Sequence, residues 1–241
     1  MDSVPYAFVD SVVELFDGKN TLFPLALEVV HPLWKTVVDL HYRNRYYNVY
    51  LSMNEKGVRL MSKNWNRRSY DDLEPIRKNR RYARILQIND SAIWGSDHWK
   101  HAKRRGADEA IKMLKTVAPQ CESSSLLDSL DSGFPDSHKF LSDALSNSAS
   151  FASMELSYHG QASLDLLENQ IRNSPFLELV ALLGEDWPEA VLPLITAFCL
   201  KGRPGHPAIM TLRDAKIVDN SCIQNLFHLW KAKGNLHFCL L

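Results

Sequence analysis

Through roughly its last hundred residues the chain repeats one hydrophobic pattern about four times: apolar positions three or four apart, a short break, then a short apolar run. The helical spacings are Phe140/Leu141/Leu145, Leu164/Leu167/Ile171, Leu192/Ile195/Phe198 and Ile223/Leu226/Trp230. The runs after them are Met154–Tyr158, Leu177–Leu179, Met210–Leu212 and Leu236–Phe238. Helices alternating with short strands predict that Leu156, Leu179, Leu212 and Phe238 lie in adjacent parallel strands of one sheet, with the helices packed on its outer side.

Upstream the pattern is different. Residues 4–16 predict a short helix with Phe8, Val12 and Leu15 on one stripe, opened by Pro5 and stopped by Gly18. The run from Leu22 to Trp34 is broken by Pro24 and Pro32, so it is not one straight helix, and a helical period resumes from Trp34 to His41. Tyr47, Val49, Leu51 and Met53 alternate, Asn54-Glu55-Lys56-Gly57 supplies turn chemistry, and Val58 and Leu60 alternate again: a β-hairpin. Residues 84–88 predict a strand, the first candidate of the array, and residues 107–117 a helix. Residues 120–137, rich in Ser and Asp, read equally as an irregular repeat or a long surface loop.

The spacings between Leu156, Leu179, Leu212 and Phe238 are 23, 33 and 26 positions, close to the period of leucine-rich-repeat arrays. A unit of this size cannot bury its own apolar face, so neighbours stack and present a ridged strand surface. Such surfaces bind macromolecules more often than they house chemistry.

Composition adds little, with 45% hydrophobic and 23% charged residues and a net charge of zero arguing for neither nucleic acid nor membrane. Distribution adds more. Residues 1–40 carry −4, residues 41–105 carry +10 and residues 106–241 carry −6. The basic block interleaves Arg43, Arg45, Arg67, Arg68, Arg77, Lys78, Arg80, Arg81, Lys100, Lys103, Arg104 and Arg105 with Tyr46, Tyr47, Tyr70, Tyr82, Trp94 and Trp99. Cations with aromatics suit phosphates and unpaired bases, yet the spacing matches no reader motif. The block is expected to stay solvated, with Arg77, Lys78, Arg80 and Arg81 available to an acidic protein partner.

Cys121, Cys199, Cys222 and Cys239 show neither disulfide nor zinc spacing, and Cys199 and Cys239 read as small core residues. No stretch approaches the roughly 20 apolar residues that span a bilayer. The acidic N-terminus does not read as a signal peptide, which leaves cytoplasm or nucleus as the expected compartment. His98 and His101, near Asp90 and Asp97, supply too few ligands for a metal. Gly202-Arg203-Pro204-Gly205 is a turn, and no nucleophile elbow or phosphate loop is present. Neither catalytic residues nor a cofactor are expected.

Val4-Pro5, the stripe Phe8/Val12/Leu15 and Trp34 about thirty positions on resemble an F-box, with Val for the usual Leu and His31-Pro32-Leu33 before the Trp. The opening Met1-Asp2-Ser3-Val4-Pro5-Tyr6, then Trp34, His41-Tyr42-Arg43-Asn44-Arg45 and a hairpin, is similar to a large nematode family of F-box-like proteins without assigned biochemical roles. The motifs cover residues 1–65 and the architecture the rest. The resemblance implies an α/β fold: a small F-box-like helical head at 1–45, a β-hairpin junction at 46–65, and an irregular leucine-rich-repeat-like body at 66–241. It also implies that the head, through Val4, Pro5, Phe8, Val12 and Leu15, docks a Skp-type adaptor of a cullin ubiquitin ligase while the body selects a protein substrate. The same stripe also reads as head core, with Trp34 anchoring the head onto the rest of the chain. A repeat scaffold without ligase coupling and a nucleic-acid binder using 43–105 remain as alternatives.

Overall fold

The computed structural model describes residues 4–16, 18–64, 68–91, 99–131, 134, 136–214, 217, 220–234 and 236–241. Met1–Ser3, Arg67, Trp94, Asp97 and His98 lie outside them. Proline has no N–H to lose at a helix start. Accordingly α1 (Tyr6–Glu14) follows Pro5, α2 (Phe23–Glu28) takes Pro24 into its first turn, and α3 (Pro32–Arg45) begins on Pro32, with a π-helical turn, Gly18–Leu22, between α1 and α2. These helices enclose a small core of Val9, Val13, Leu22, Ala26, Val37 and Val38. Trp34 packs against this core, so it serves the head's own interior.

The switch from helical to alternating period falls at Tyr46. There β1 (Tyr46–Asn54) and β2 (Gly57–Asn64) pair antiparallel around Glu55-Lys56. Gly57 sits at φ 124°, and a Cβ there would lie 2.5 Å from the Arg105 carbonyl oxygen, because β5 (Arg104–Arg105) pairs against β2. β3 (Ser69–Tyr70) also pairs with β2, and α4 (Glu74–Lys78) leads into β4 (Arg84–Ser91), which lies parallel to β1. The hairpin is therefore part of the main sheet.

From β4 onward strands and helices alternate: α5 (Ala107–Val117), β6 (Cys121–Asp131), α6 (Ser137–Leu145), β7 (Ser153–Ser157), α7 (Gln161–Asn173), β8 (Leu179–Leu183), α8 (Leu192–Cys199), β9 (Ala208–Arg213), α9 (Asn220–Lys233) and β10 (Phe238–Leu240). The described strands form one mostly parallel sheet in the order β10-β9-β8-β7-β6-β4-β1-β2-β3, with β5 beside β2. Helices α5 to α8 pack against one another in sequence, and their apolar faces share a core with one face of the sheet. That face carries a buried row, Val49, Ile88, Leu127, Met154, Val180 and Met210, in register across six strands.

Four expectations are corrected here. Residues 121–131, read as loop or irregular repeat, form the long strand β6 between β4 and β7. Leu179 is not the core residue of its strand: Leu156 aligns with Leu182 and Leu212, while Leu179 aligns with Ser153 and Ile209 on the opposite face. Cys239 is exposed instead of buried. Among the described side chains of α9 only Cys222 and Leu226 are buried, and Ile223 and Trp230 face out with Phe227.

Candidate functional site

The head is pinned to the N-terminal edge of the sheet by charge. β6 advances from Cys121, opposite Ile85, to Leu126, opposite Gln87, so residues 122–125 bulge out of register. The bulge turns Glu122 inward, where its Oε1 accepts from Arg45 Nη2 at 2.9 Å and from the Gly18 N–H at 3.3 Å. Both side chains of the ion pair are almost fully buried. A Cβ on Gly18 would overlap the Tyr46 hydroxyl, so glycine is what lets the head approach β1. Around this pair Asp10 contacts both His41 Nε2, at 2.7 Å, and Arg81, and Glu14 lies 3.6 Å from Arg84. Burial holds the His41 imidazole below its usual value despite the Asp10 carboxylate beside it. Asp10 and Glu14 of the acidic head thus pair with Arg81 and Arg84 of the basic block beside the buried Arg45–Glu122 pair, a seam that is buried at its centre and part-exposed around it.

The partner-binding candidates are partly spent on the fold. Arg81 is committed to Asp10, Arg77 and Lys78 pair with Glu74 within α4, and Arg80 donates to the Thr116 carbonyl. All four nonetheless remain exposed at the surface. Only the Arg81 pair has a buried member, Asp10, whereas the Glu74 pairs are exposed on both sides and remain ordinary surface pairs.

With Val9 and Val13 turned inward, the other apolar side of α1 faces solvent. Phe8 is 56% and Leu15 84% exposed, and Val4 and Pro5 are exposed, while Val12 is half-buried. The stripe is therefore not head core. α2 and the turn after it add Phe23, Leu27 and Val30 to the exposed apolar side chains of the head. Burying large apolar side chains of this kind against a partner is worth about 1.5–3 kcal/mol each. A second apolar patch, Ile223, Phe227 and Trp230 on α9, lies at the other end of the molecule beside a groove of about 830 Å³ between α8 and α9.

One cluster has the ingredients of catalysis. At the C-terminal end of the strands, Ser129 Oγ lies 2.8 Å from His138 Nε2 and 3.1 Å from Asp90 Oδ2, and His138 Nδ1 lies 2.7 Å from Ser163 Oγ. Ser163 in turn accepts the His159 N–H at 2.8 Å. Neutral imidazole has one donor and one acceptor, so with every bond made the protons run one way: His159 N–H to Ser163, Ser163 to Nδ1, Nε2–H to Ser129, Ser129 to Asp90. In that chain Ser129 donates to the Asp90 carboxylate and accepts from Nε2–H, while Ser163 donates to the unprotonated Nδ1 of His138, a hydroxyl–imidazole contact of the nucleophile–base kind held in the interior. The four side chains, Asp90, Ser129, His138 and Ser163, are buried. Burial pushes the Asp90 carboxyl up to about 6 against the hydroxyls of Ser137 and Ser129, with Asp128 adding to the rise. Burial also lowers the His138 imidazole to about 4, helped by neighbouring His159. The cluster ties β4 and β6 to the first turns of α6 and α7, and no sequence motif announces it because bonded partners lie up to 39 residues apart.

Among the described residues the sheet face away from the helices is half-exposed for most of its length from β6 to β9. Leu126, Ser153, Leu179 and Ile209 form one half-exposed row, and Asp128, Glu155 and Thr211, with the buried Ala181 among them, the next. Near β1 the same face is covered, where Trp99 and Ala102 pack on Tyr50 and Met61. Among the described residues no group of His, Cys, Asp or Glu could hold a metal ion, and no helix is long and apolar enough to cross a membrane. No family model, curated protein or solved structure matches the chain.

Proposed function

We propose that this protein is a non-enzymatic docking subunit: its F-box-like head binds a Skp-type adaptor of a cullin ubiquitin ligase, and its repeat body presents a protein substrate. One observation carries the reading: α1 buries Val9 and Val13 in a self-contained head core while leaving Phe8 and Leu15 to solvent. A helix with an apolar stripe beyond what its own core needs is one that another protein covers. The resemblance of Val4-Pro5, that stripe and Trp34 to an F-box supplies the partner class, and a cytoplasmic or nuclear placement comes with it.

The test is co-precipitation of the purified adaptor with the intact chain and with Phe8→Ala/Leu15→Ala. Because both side chains are exposed, the variant keeps its melting temperature while binding falls. Absence of binding by the intact protein at micromolar concentration would leave a scaffold without ligase coupling. The nucleic-acid alternative is weakened by the seam, which occupies Arg45, Arg81 and Arg84 internally.

A further inference from the structure

We infer that the open face of the sheet over β6–β9 docks an extended segment of another protein in which an arginine or lysine is flanked by aliphatic side chains. Asp128 and Glu155 stand side by side in register on parallel strands. Like charges in that relation repel and cost stability. Asp128 is held by amide donors on the neighbouring strand, Gln87 Nε2 at 3.2 Å and Asn89 Nδ2 at 2.8 Å. Glu155, half-exposed, has no hydrogen-bond or ion-pair partner among the described residues. Asp128 thus serves the pairing of β4 with β6, whereas Glu155 adds a charge that no described contact uses, as a residue kept for an interaction would.

The surroundings specify the partner. Along β8 and β9 the acidic pair gives way to Leu179, Leu183 and Ile209, half-exposed and outside the hydrophobic core, around the buried Ala181. Adjacent rows on such a face are separated by the spacing of alternate residues and adjacent strands by about 4.8 Å. A guanidinium fork or ammonium placed between the two carboxylates would lay its aliphatic stem on the half-exposed Leu179 and Leu183. An acidic or purely apolar segment would leave Glu155 desolvated and unpaired, so charge complementarity selects the basic one. The inference rests on the reading of the body as a substrate-presenting surface and not on the adaptor.

The experiment is to pan a displayed library of random peptides against the full chain without adaptor, in parallel with Glu155→Arg and Glu155→Gln. Enriched peptides carry a basic residue between aliphatic ones, and their affinity falls at least about tenfold in Glu155→Arg. Glu155→Gln melts at or above the temperature of the wild type, which separates lost binding from lost folding. No enrichment, enrichment without basic residues, or full retention by Glu155→Arg would overturn the inference. Each of these outcomes leaves adaptor binding by the head untouched, so failure of one reading is distinguishable from failure of the other.

Discussion

The helix layer and the head are held to the sheet by different physics. Over β7–β9 the helices meet the sheet through stacked apolar rows, Met154, Val180 and Met210 beside Leu156 and Leu182, where each residue contributes a share and none is indispensable. At the start of β4 and β6 the head meets the sheet through the buried Arg45–Glu122 pair, with Asp10 on Arg81 and Glu14 on Arg84 beside it, so that charges must be satisfied at once. Apolar contact is forgiving of small displacements, whereas a buried ion pair tolerates one geometry. The head is thereby held in one orientation, with its outer apolar face directed away from the body.

Removing one partner of the buried pair should have the largest effect. Glu122→Gln leaves the Arg45 guanidinium buried without its counter-charge, a change that costs about 3–5 kcal/mol. Urea denaturation monitored by a probe in the head and one in the body reads it. A cost under about 1 kcal/mol would mean the seam is hydrated and the contrast between helix layer and head is false.

Next in size is the register of the array. Leu182→Ala removes a fully buried side chain and should cost about 2–5 kcal/mol, while Leu179→Ala, on the open face, should cost well under that. Equal costs would contradict the assignment of faces. Leu179, expected in the core and found on the open face, illustrates why register is hard to see: Leu179-Val180-Ala181-Leu182-Leu183 is apolar at both parities, so alternation is silent and only the pairing decides. The hairpin is legible because its turn is local and its alternation one-sided. α1 is half legible, since Tyr6, Phe8, Val9, Val12 and Val13 make it apolar nearly all round, and contacts with α3 choose which side is buried. β6 is not, because the bulge at 122–125 and the polar Asp128 and Ser129 break its pattern. The Arg45–Glu122 pair, 77 residues apart, leaves no local trace.

A smaller effect separates two members of the buried polar chain by pH. His138 titrates near 4, below its ordinary 6.5, so the stability it contributes is present above pH 6.5 and lost as pH falls through 4. Asp90 titrates near 6, above its ordinary 3.8, so its contribution is present below pH 3.8 and lost as pH rises through 6. Between pH 7 and 5 the two oppose one another, each on the order of 1–2 kcal/mol. Relative to wild type, His138→Gln should gain stability on going from pH 7 to pH 5, and Asp90→Asn should lose it. Urea midpoints at the two pH values read both, and slopes of the same sign would mean the groups do not share one buried chain.

The most direct test of docking through the head is hydrogen–deuterium exchange of the intact chain with and without the purified Skp-type adaptor. Docking predicts slowed exchange across residues 6–30, centred on α1 and α2, with β7–β9 unchanged. Unaltered exchange in the head, or protection confined to the body strands, would contradict it.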